Sequence, residues 1–278
     1  MTTPPVTVLV LGATGTTGSR VARGVAARGH RVKAARLDVG FDWYDRSTHE
    51  QALTGADHVY LVPPLASATP ADIMLPFLER ARACGVRRAV LLSSSAIPAG
   101  GPAVGQVHQA LPGLFDEWAV LRPSWFMQNF TGDHLHARSI REEGTIRTAA
   151  GEGRVAFVDA DDIAAVATHA LTDVHAPDTD LVITGPEALS HTDVATILGE
   201  VTDRAVTHRQ LTYEQLRDHL ARSMPPEFAA MLAGLDRSIA EGAEDRTTDT
   251  VLRVTGRPPR SFRTHVERVV TGRSSGRE

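Results

Sequence analysis

The sequence predicts an α/β fold, a doubly wound parallel sheet followed by a small, mostly helical C-terminal lobe. Three observations carry this expectation. The apolar run Val6-Thr7-Val8-Leu9-Val10-Leu11 flows straight into Gly12-Ala13-Thr14-Gly15-Thr16-Thr17-Gly18. Further apolar runs alternate with helical patterns as far as Ile183, and from Ser190 onward that rhythm stops. A strand covered on both faces of a parallel sheet reads as a near-continuous apolar run, and strands alternating with helices build such a sheet.

The first turn sets the chemistry. After a buried strand, Gly12 lets the chain turn sharply, Gly15 lets backbone N–H groups approach a pyrophosphate, and Gly18 lets the helix at Ser19 to Arg28 pack closely on the strand. Gly12, Thr14, Gly15, Thr16, Thr17 and Gly18 are therefore assigned to a dinucleotide, in a Rossmann sheet of expected strand order 3-2-1-4-5-6. The spacing G-x-x-G-x-x-G differs from the G-x-G-x-x-G of the commonest dehydrogenases and points to extended or atypical short-chain dehydrogenases.

His30 to Arg36 reads as the second strand, whose end faces the adenosine ribose. An acid there accepts from the 2′-hydroxyl of NAD, whereas an Arg meets the 2′-phosphate of NADP. Arg36 stands about 20 residues past the glycines, with Asp38 two residues later, so NADPH is favoured over NADH. Against this, the chain has one lysine, Lys33, and is rich in Arg, which makes any single Arg less informative.

Phe41-Asp42-Trp43 reads as a short strand and turn, followed by a helix to Ala52 and the strand His58 to Val62, ended by Pro63 and Pro64. Proline cannot donate to a ladder, so the chain leaves the sheet there over the cofactor's edge. A helix (Ala71 to Cys84) precedes the strand Ala89 to Leu92, which ends in Ser93-Ser94-Ser95. A second helix, Val104 to Leu111, precedes the strand Trp118 to Arg122, which Pro123 closes. Ligands of such sheets lie beyond the carboxyl ends of the strands. Asp42, Trp43, Val62, Pro63, Pro64, Ser93, Ser94 and Pro123 are assigned to the cofactor, and Ser95 is assigned to the substrate.

Ser124 to Phe130 is the most apolar loop of the chain. Trp125, Phe126, Met127 and Phe130 suit the wall of a pocket for a flat hydrophobic substrate, and equally a seal over the core of the second lobe. Thr131 to Glu143 reads as helix and Val155 to Val158 as strand. Asp159, Asp161 and Asp162 read as caps of an Ala-rich helix to Leu171, and Leu181 to Pro186 as a last strand and exit. The expected division is a dinucleotide-binding domain at 1–130, with 154–184 returning to it, and a substrate-capping lobe at 131–153 and 185–278 that closes the pocket. The tail from Thr271 is expected to be disordered.

Bulk properties exclude other classes. The 278 residues carry a net charge of −4 without a basic, aromatic-interleaved patch, which argues against nucleic acid. No apolar run reaches membrane-spanning length, and the start lacks a signal-peptide pattern, so the expectation is a cytoplasmic protein. The single cysteine, Cys84, excludes an internal disulfide, and the 12 histidines are scattered without metal-ligand spacing, so no metal site is expected. Monomer and homodimer both remain open.

These landmarks resemble the NmrA-like atypical short-chain dehydrogenases, and among them the ergot-alkaloid biosynthesis reductases such as festuclavine dehydrogenase. The resemblance is carried by Gly12 to Gly18, Phe41 to Trp43, Val59 to Pro64, Leu91 to Ser95, Gly105 to His108, Trp118 to Phe130 and Leu181 to Ser190. It implies NADPH-dependent reduction, in that branch of an imine or iminium in an alkaloid intermediate. Quinone reductases and non-catalytic regulators that sense NADP(H) are similar through the first lobe.

One departure from the wider superfamily bears on the chemistry. Typical members use Tyr-x-x-x-Lys, in which Tyr protonates a carbonyl oxygen and Lys lowers its pKa. No Tyr of this chain has a Lys four residues later, and alignment of the helix after Ser95 puts Val104 at the Tyr place and His108 at the Lys place. A ketone is disfavoured, because its alkoxide needs a proton. An iminium needs none. A quinone or enone delocalises the charge and can draw on His108 or water. His108 is accordingly the candidate catalytic residue: it could orient the ribose, protonate a substrate, or be an ordinary polar helix residue. The expected function is an NADPH-dependent reductase delivering hydride to a hydrophobic imine, iminium or activated C=C substrate of secondary metabolism, with a quinone or enone reductase and a non-catalytic NADP(H) sensor as alternatives.

Overall fold

The computed structural model describes residues 4–35, 40–64, 67 and 69–274. The chain forms two compact units, the first made of residues 1–123, 160–183 and 250–257, the second of 124–159, 184–249 and 258–278. The segment 124–130, grouped with the sheet on sequence grounds, clusters with the second unit, and 250–257 returns to the first.

The first unit is built on strands β1 (Thr7–Leu11), β2 (Arg31–Ala35), β3 (His58–Leu61), β4 (Arg88–Leu92) and β5 (Glu117–Pro123). Between them run α1 (Gly18–Ala27), α2 (His49–Leu53), α3 (Pro70–Ala83) and α4 (Gly105–Leu114). After α5 (Leu135–Glu143), β6 (Thr145–Thr148) and β7 (Arg154–Val155), which belong to the second unit, the chain comes back as α6 (Ala160–Thr172) and β8 (Thr179–Ile183). The sheet is wholly parallel, in the order β2-β1-β3-β4-β5-β8. Strand residues alternate between its faces. Leu9, Leu11, Val59, Leu61 and Leu91 share one core with Leu53 of α2, Phe77 and Leu78 of α3, and Val107 and Leu111 of α4. Cys84, at the end of α3, packs against the same core.

Among the described residues the expected order 3-2-1-4-5-6 shows no outer strand, and β2 is the edge. Phe41-Asp42-Trp43 forms a turn whose one bridge joins Asp42 to Asp45. Short acidic side chains divert the backbone there: Asp42 Oδ1 accepts from the Tyr44 N–H, and Asp45 Oδ1 accepts from the Ser47 N–H. The two aromatic rings then pack inward, Trp43 lying 5.0 Å from Phe77 and Phe41 5.6 Å from it.

The second unit adds β9 (Leu189–Ser190), α7 (His191–Thr202), β10 (Thr207–Gln210), α8 (Tyr213–Leu220) and α9 (Pro226–Ala240). After α10 (Thr250–Thr255) of the first unit, α11 (Phe262–Ser274) completes it. Two capping boxes start its helices, Ser190 with Asp193 on α7 and Thr212 with Gln215 on α8. Its core holds Met127, Phe130, Ile146, Phe157, Leu198 and Phe262.

Three expectations change here. β10 pairs in parallel with β6, Thr207 opposite Thr145, although its sequence Thr-His-Arg-Gln has no apolar alternation. Only Val155 of the run 155–158 lies in a strand, paired with Leu189, while Val158 makes an isolated bridge to Phe126. Residues 271–274, expected to be disordered, are helical, and 275–278 lie outside the described residues. Among the described residues no helix is long and apolar enough to cross a membrane, and no cluster of His, Cys, Asp or Glu could hold a metal ion.

Candidate functional site

The glycine turn has the geometry that a pyrophosphate requires. Gly12 sits at φ +64°, a conformation side chains resist, and the Gly15 N–H donates to its carbonyl at 2.9 Å to close the turn. A Cβ on Gly18 would stand 2.1 Å from the Gly12 oxygen, so only glycine brings α1 this close to β1. The first turn of α1 has no acidic residue and no side-chain cap, which leaves amide hydrogens and the positive helix end for an anion. Thr14, Gly15 and Thr16 are exposed, whereas Thr17 is buried. These features fit a dinucleotide phosphate.

The parallel register brings the carboxyl ends of β1, β3, β4 and β5 to one edge of this sheet. Val62 backs the turn, its Cβ 3.3 Å from where a Gly12 Cβ would lie. The Val62 carbonyl accepts from the Trp43 indole N–H at 3.1 Å, which ties the segment around Asp42 to the end of β3. Pro63 is partly exposed and Pro64 buried. The Ser93 N–H donates to Leu121 and the Ser95 N–H to Pro123, so β4 and β5 stay joined past the last ladder pair. Arg36 and Asp38 lie outside the described residues.

Arg122, which sequence reasoning left unassigned, secures the serine loop. Its guanidinium donates to Asp180 at 2.7 Å and to the Ser95 carbonyl at 3.0 Å. The only sequence signal was an Arg at the end of an otherwise apolar strand. Behind this pair His108 is 6% exposed, and its Nδ1 has no hydrogen-bond partner among the described residues. Burial, more than the opposing charges of Asp180 and Arg122, holds the imidazole below its ordinary pKa, so it is neutral at pH 7. Val104, the start of the same helix, is buried too. The Ser93 hydroxyl is a second buried group without a partner among the described residues.

Within the second unit a cavity of about 400 Å³ opens between α5, α8 and α9. Of the four apolar substrate candidates only Trp125 lines it; Met127 and Phe130 are buried in that unit's core and Phe126 is half-buried. A neutral floor of histidines lies beside it. The His134 and His136 rings are 5.1 Å apart, His136 is 6.2 Å from His191, and His191 is 5.5 Å from His208. The histidines are therefore not all scattered: four meet in the fold, and burial drives His136 and His191 down to about 3. Their separation along the chain hid this. Asp159, expected to be a helix cap, accepts from Gln128 at 2.9 Å and pairs with Arg260 and His265.

No family model matches the sequence. The chain is 43% identical over 265 residues to the uncharacterized oxidoreductase YesF of Bacillus subtilis (strain 168), covering 92% of each chain. It is 38% identical over 282 residues to festuclavine synthase II of Penicillium roqueforti (strain FM164), covering 92% of this chain and 96% of that one. It is also 38% identical over 275 residues to agroclavine dehydrogenase of Claviceps fusiformis, covering 92% and 94%. Among solved structures, the NADPH complex of the Escherichia coli quinone oxidoreductase QOR2 superposes with a TM-score of 0.76 at 21% identity, covering 95% and 99%. The NAD complex of the negative transcriptional regulator NmrA superposes at 0.74 with 15% identity, covering 99% of each chain.

The chain belongs to a family of NAD(P)H-dependent oxidoreductases and has the fold of NmrA. Within that family its relatives are the festuclavine and agroclavine dehydrogenases and YesF.

Proposed function

We propose that the protein is an NADPH-dependent reductase that delivers hydride to a hydrophobic imine, iminium or activated C=C substrate. The observation that carries this is the missing acid. Alignment of the helix after Ser95 puts Val104 at the place of the tyrosine that would protonate an alkoxide, and His108, one turn on, is buried and neutral at pH 7. Neutral imidazole is a poor proton donor. An iminium carbon accepts hydride to give a neutral amine, with no proton transferred, so positioning alone suffices.

The dinucleotide, when bound, supplies the hydride. Backbone N–H groups near Gly15 would hold its pyrophosphate in the turn that Gly12 and Gly18 permit, with Thr14, Thr16 and Thr17 beside them, and Arg36 would select the 2′-phosphate. Val62 to Pro64, Ser93, Ser94 and Pro123 line the rest of its path, and Arg122 fixes the serine loop. The second unit is the substrate lobe and its cavity the substrate site, with Trp125 as the flat apolar wall. The relatives named festuclavine synthase and agroclavine dehydrogenase support this class of acceptor through the ergot-alkaloid reductase branch that the sequence resembles.

A quinone or enone acceptor is the second reading, because it too spreads the added charge without needing a tyrosine. The test compares NADPH oxidation with a cyclic iminium, a quinone and a simple cyclic ketone. Turnover of the iminium is expected to be at least tenfold above that of the ketone. Turnover of the quinone alone selects the second reading. Ketone reduction faster than both refutes the missing-acid account, and no turnover on any acceptor favours a sensor.

A further inference from the structure

The cavity of the second unit is not evenly charged. Arg147 of β6 is taken up by Glu143 and by the Ser139 hydroxyl, to which it donates at 2.7 Å. Arg138 and Glu142 are both exposed, at the rim, and offset each other in sign. The histidines contribute no charge near neutrality, since burial lowers His134 and His219 from their ordinary value and takes His136 to about 3. What remains is Asp236 of α9. It lines the cavity beside Leu232 and Leu235, and the Ala149 N–H donates to it at 2.8 Å. Arg237, its chain neighbour, lies over the Tyr213 ring at 4.9 Å. Among the described residues no cation is paired with Asp236.

We propose that Asp236 is the counter-ion of a cationic ligand, its carboxylate pairing with the positive charge of an iminium or ammonium group in this cavity and selecting charged over neutral acceptors. The assignment rests on the cavity being the substrate site. Burial, only partly offset by the Ala149 hydrogen bond, pushes Asp236 up to about 6. A cation beside it relieves that penalty. Restoring the carboxyl fully to its ordinary value would tighten cation binding about hundredfold above pH 6, and partial relief gives about tenfold.

The probe is N-methyl-3,4-dihydroisoquinolinium, a permanently charged iminium, compared with the uncharged 2-methylisoquinolin-1-one. Calorimetry on the full-length protein in excess NADP⁺ gives both dissociation constants. Asp236→Asn keeps an oxygen for the Ala149 N–H and should weaken the cation about tenfold at pH 7.5 while leaving the neutral ligand within twofold. In the unmodified protein the Kd of the cation should fall as pH rises through about 6, a step absent from Asp236→Asn. Equal losses for both ligands, an unchanged cation affinity, a step that persists in the variant, or no cation binding at all would each overturn the proposal. Cation binding that depends on Asp236 without any reduction would sink the reductase function and leave this one standing. Reduction of the cation with Asp236→Asn unaffected would do the reverse.

Discussion

Gly18→Ala is the most direct probe of the nucleotide turn. An added Cβ would meet the Gly12 carbonyl oxygen at 2.1 Å and its carbon at 2.7 Å, both backbone atoms that no rotamer can move. The turn must open by roughly 1 Å, since real Cβ contacts are never so short. Overpacking of this kind costs about 1–3 kcal/mol, against which alanine at the helix start returns up to about 1 kcal/mol. The net effect on stability is therefore modest, a Tm loss of about 5 °C or less. Cofactor binding is far more sensitive. A 1 Å displacement takes the N–H groups near Gly15 out of hydrogen-bonding range, and each charge-assisted bond is worth about 1.5–3 kcal/mol, so NADPH affinity should fall about 10- to 150-fold. Titration of NADPH fluorescence, paired with thermal unfolding, separates the two effects. Gly113→Ala is the control, because nothing lies within 4 Å of the added Cβ. If Gly18→Ala folds and binds NADPH as well as Gly113→Ala does, the turn does not hold the pyrophosphate.

Three further outcomes are expected, the first from the sequence assignment of Arg36 and the other two from the structure. Arg36→Ala should weaken NADPH by about 2–4 kcal/mol and barely change NADH, as fluorescence titration of both would register; equal losses would remove Arg36 from the 2′-phosphate. Arg122→Ala unpairs Asp180 and frees the Ser95 carbonyl, so urea unfolding should show a loss of about 2–3 kcal/mol, with little change if water takes over both partners. His136 and His191 titrate near 3 in the fold but near 6.5 when unfolded, so the unfolded chain binds more protons below pH 6.5. Stability should be flat above pH 6.5 and fall as pH drops from there toward 3, by about 2 kcal/mol per histidine at pH 5, and His191→Phe should flatten the slope in pH-resolved denaturation.

The sheet was legible because its signals are local. Val6 to Leu11, the glycines after it and the proline pair after Val62 each state a strand and its exit within a few residues. The outer strand failed because Phe41 and Trp43 have strand character, while Asp42 and Asp45 satisfy the backbone locally and the rings find Phe77 across the core. β10 was invisible for the opposite reason. Its residues are polar and mostly exposed, and its partner β6 lies some sixty residues earlier, so neither alternation nor a turn motif marks it. The same distance effect hid the cavity. Trp125 announced itself in an apolar loop, but Asp236, Arg147 and the four neighbouring histidines come from α5, β6, α7, β10 and α9, and only folding gathers them.

The absence of a Tyr-x-x-x-Lys pair and the burial of His108 point the same way. Losing the tyrosine removes the proton that a neutral carbonyl would need, and burying His108 prevents it from serving as a substitute acid at neutral pH. An acceptor that arrives positively charged requires neither. It is favoured, on the proposal made above, by a carboxylate that remains ionised near neutrality, in surroundings where no other group cancels it. Asp236 meets that condition because the histidines beside it are held neutral and Arg147 is engaged by Glu143. Replacing Asp236 should therefore alter which acceptors the protein chooses while leaving NADPH affinity unchanged, whereas opening the turn at Gly18 should lower NADPH affinity and leave acceptor preference intact.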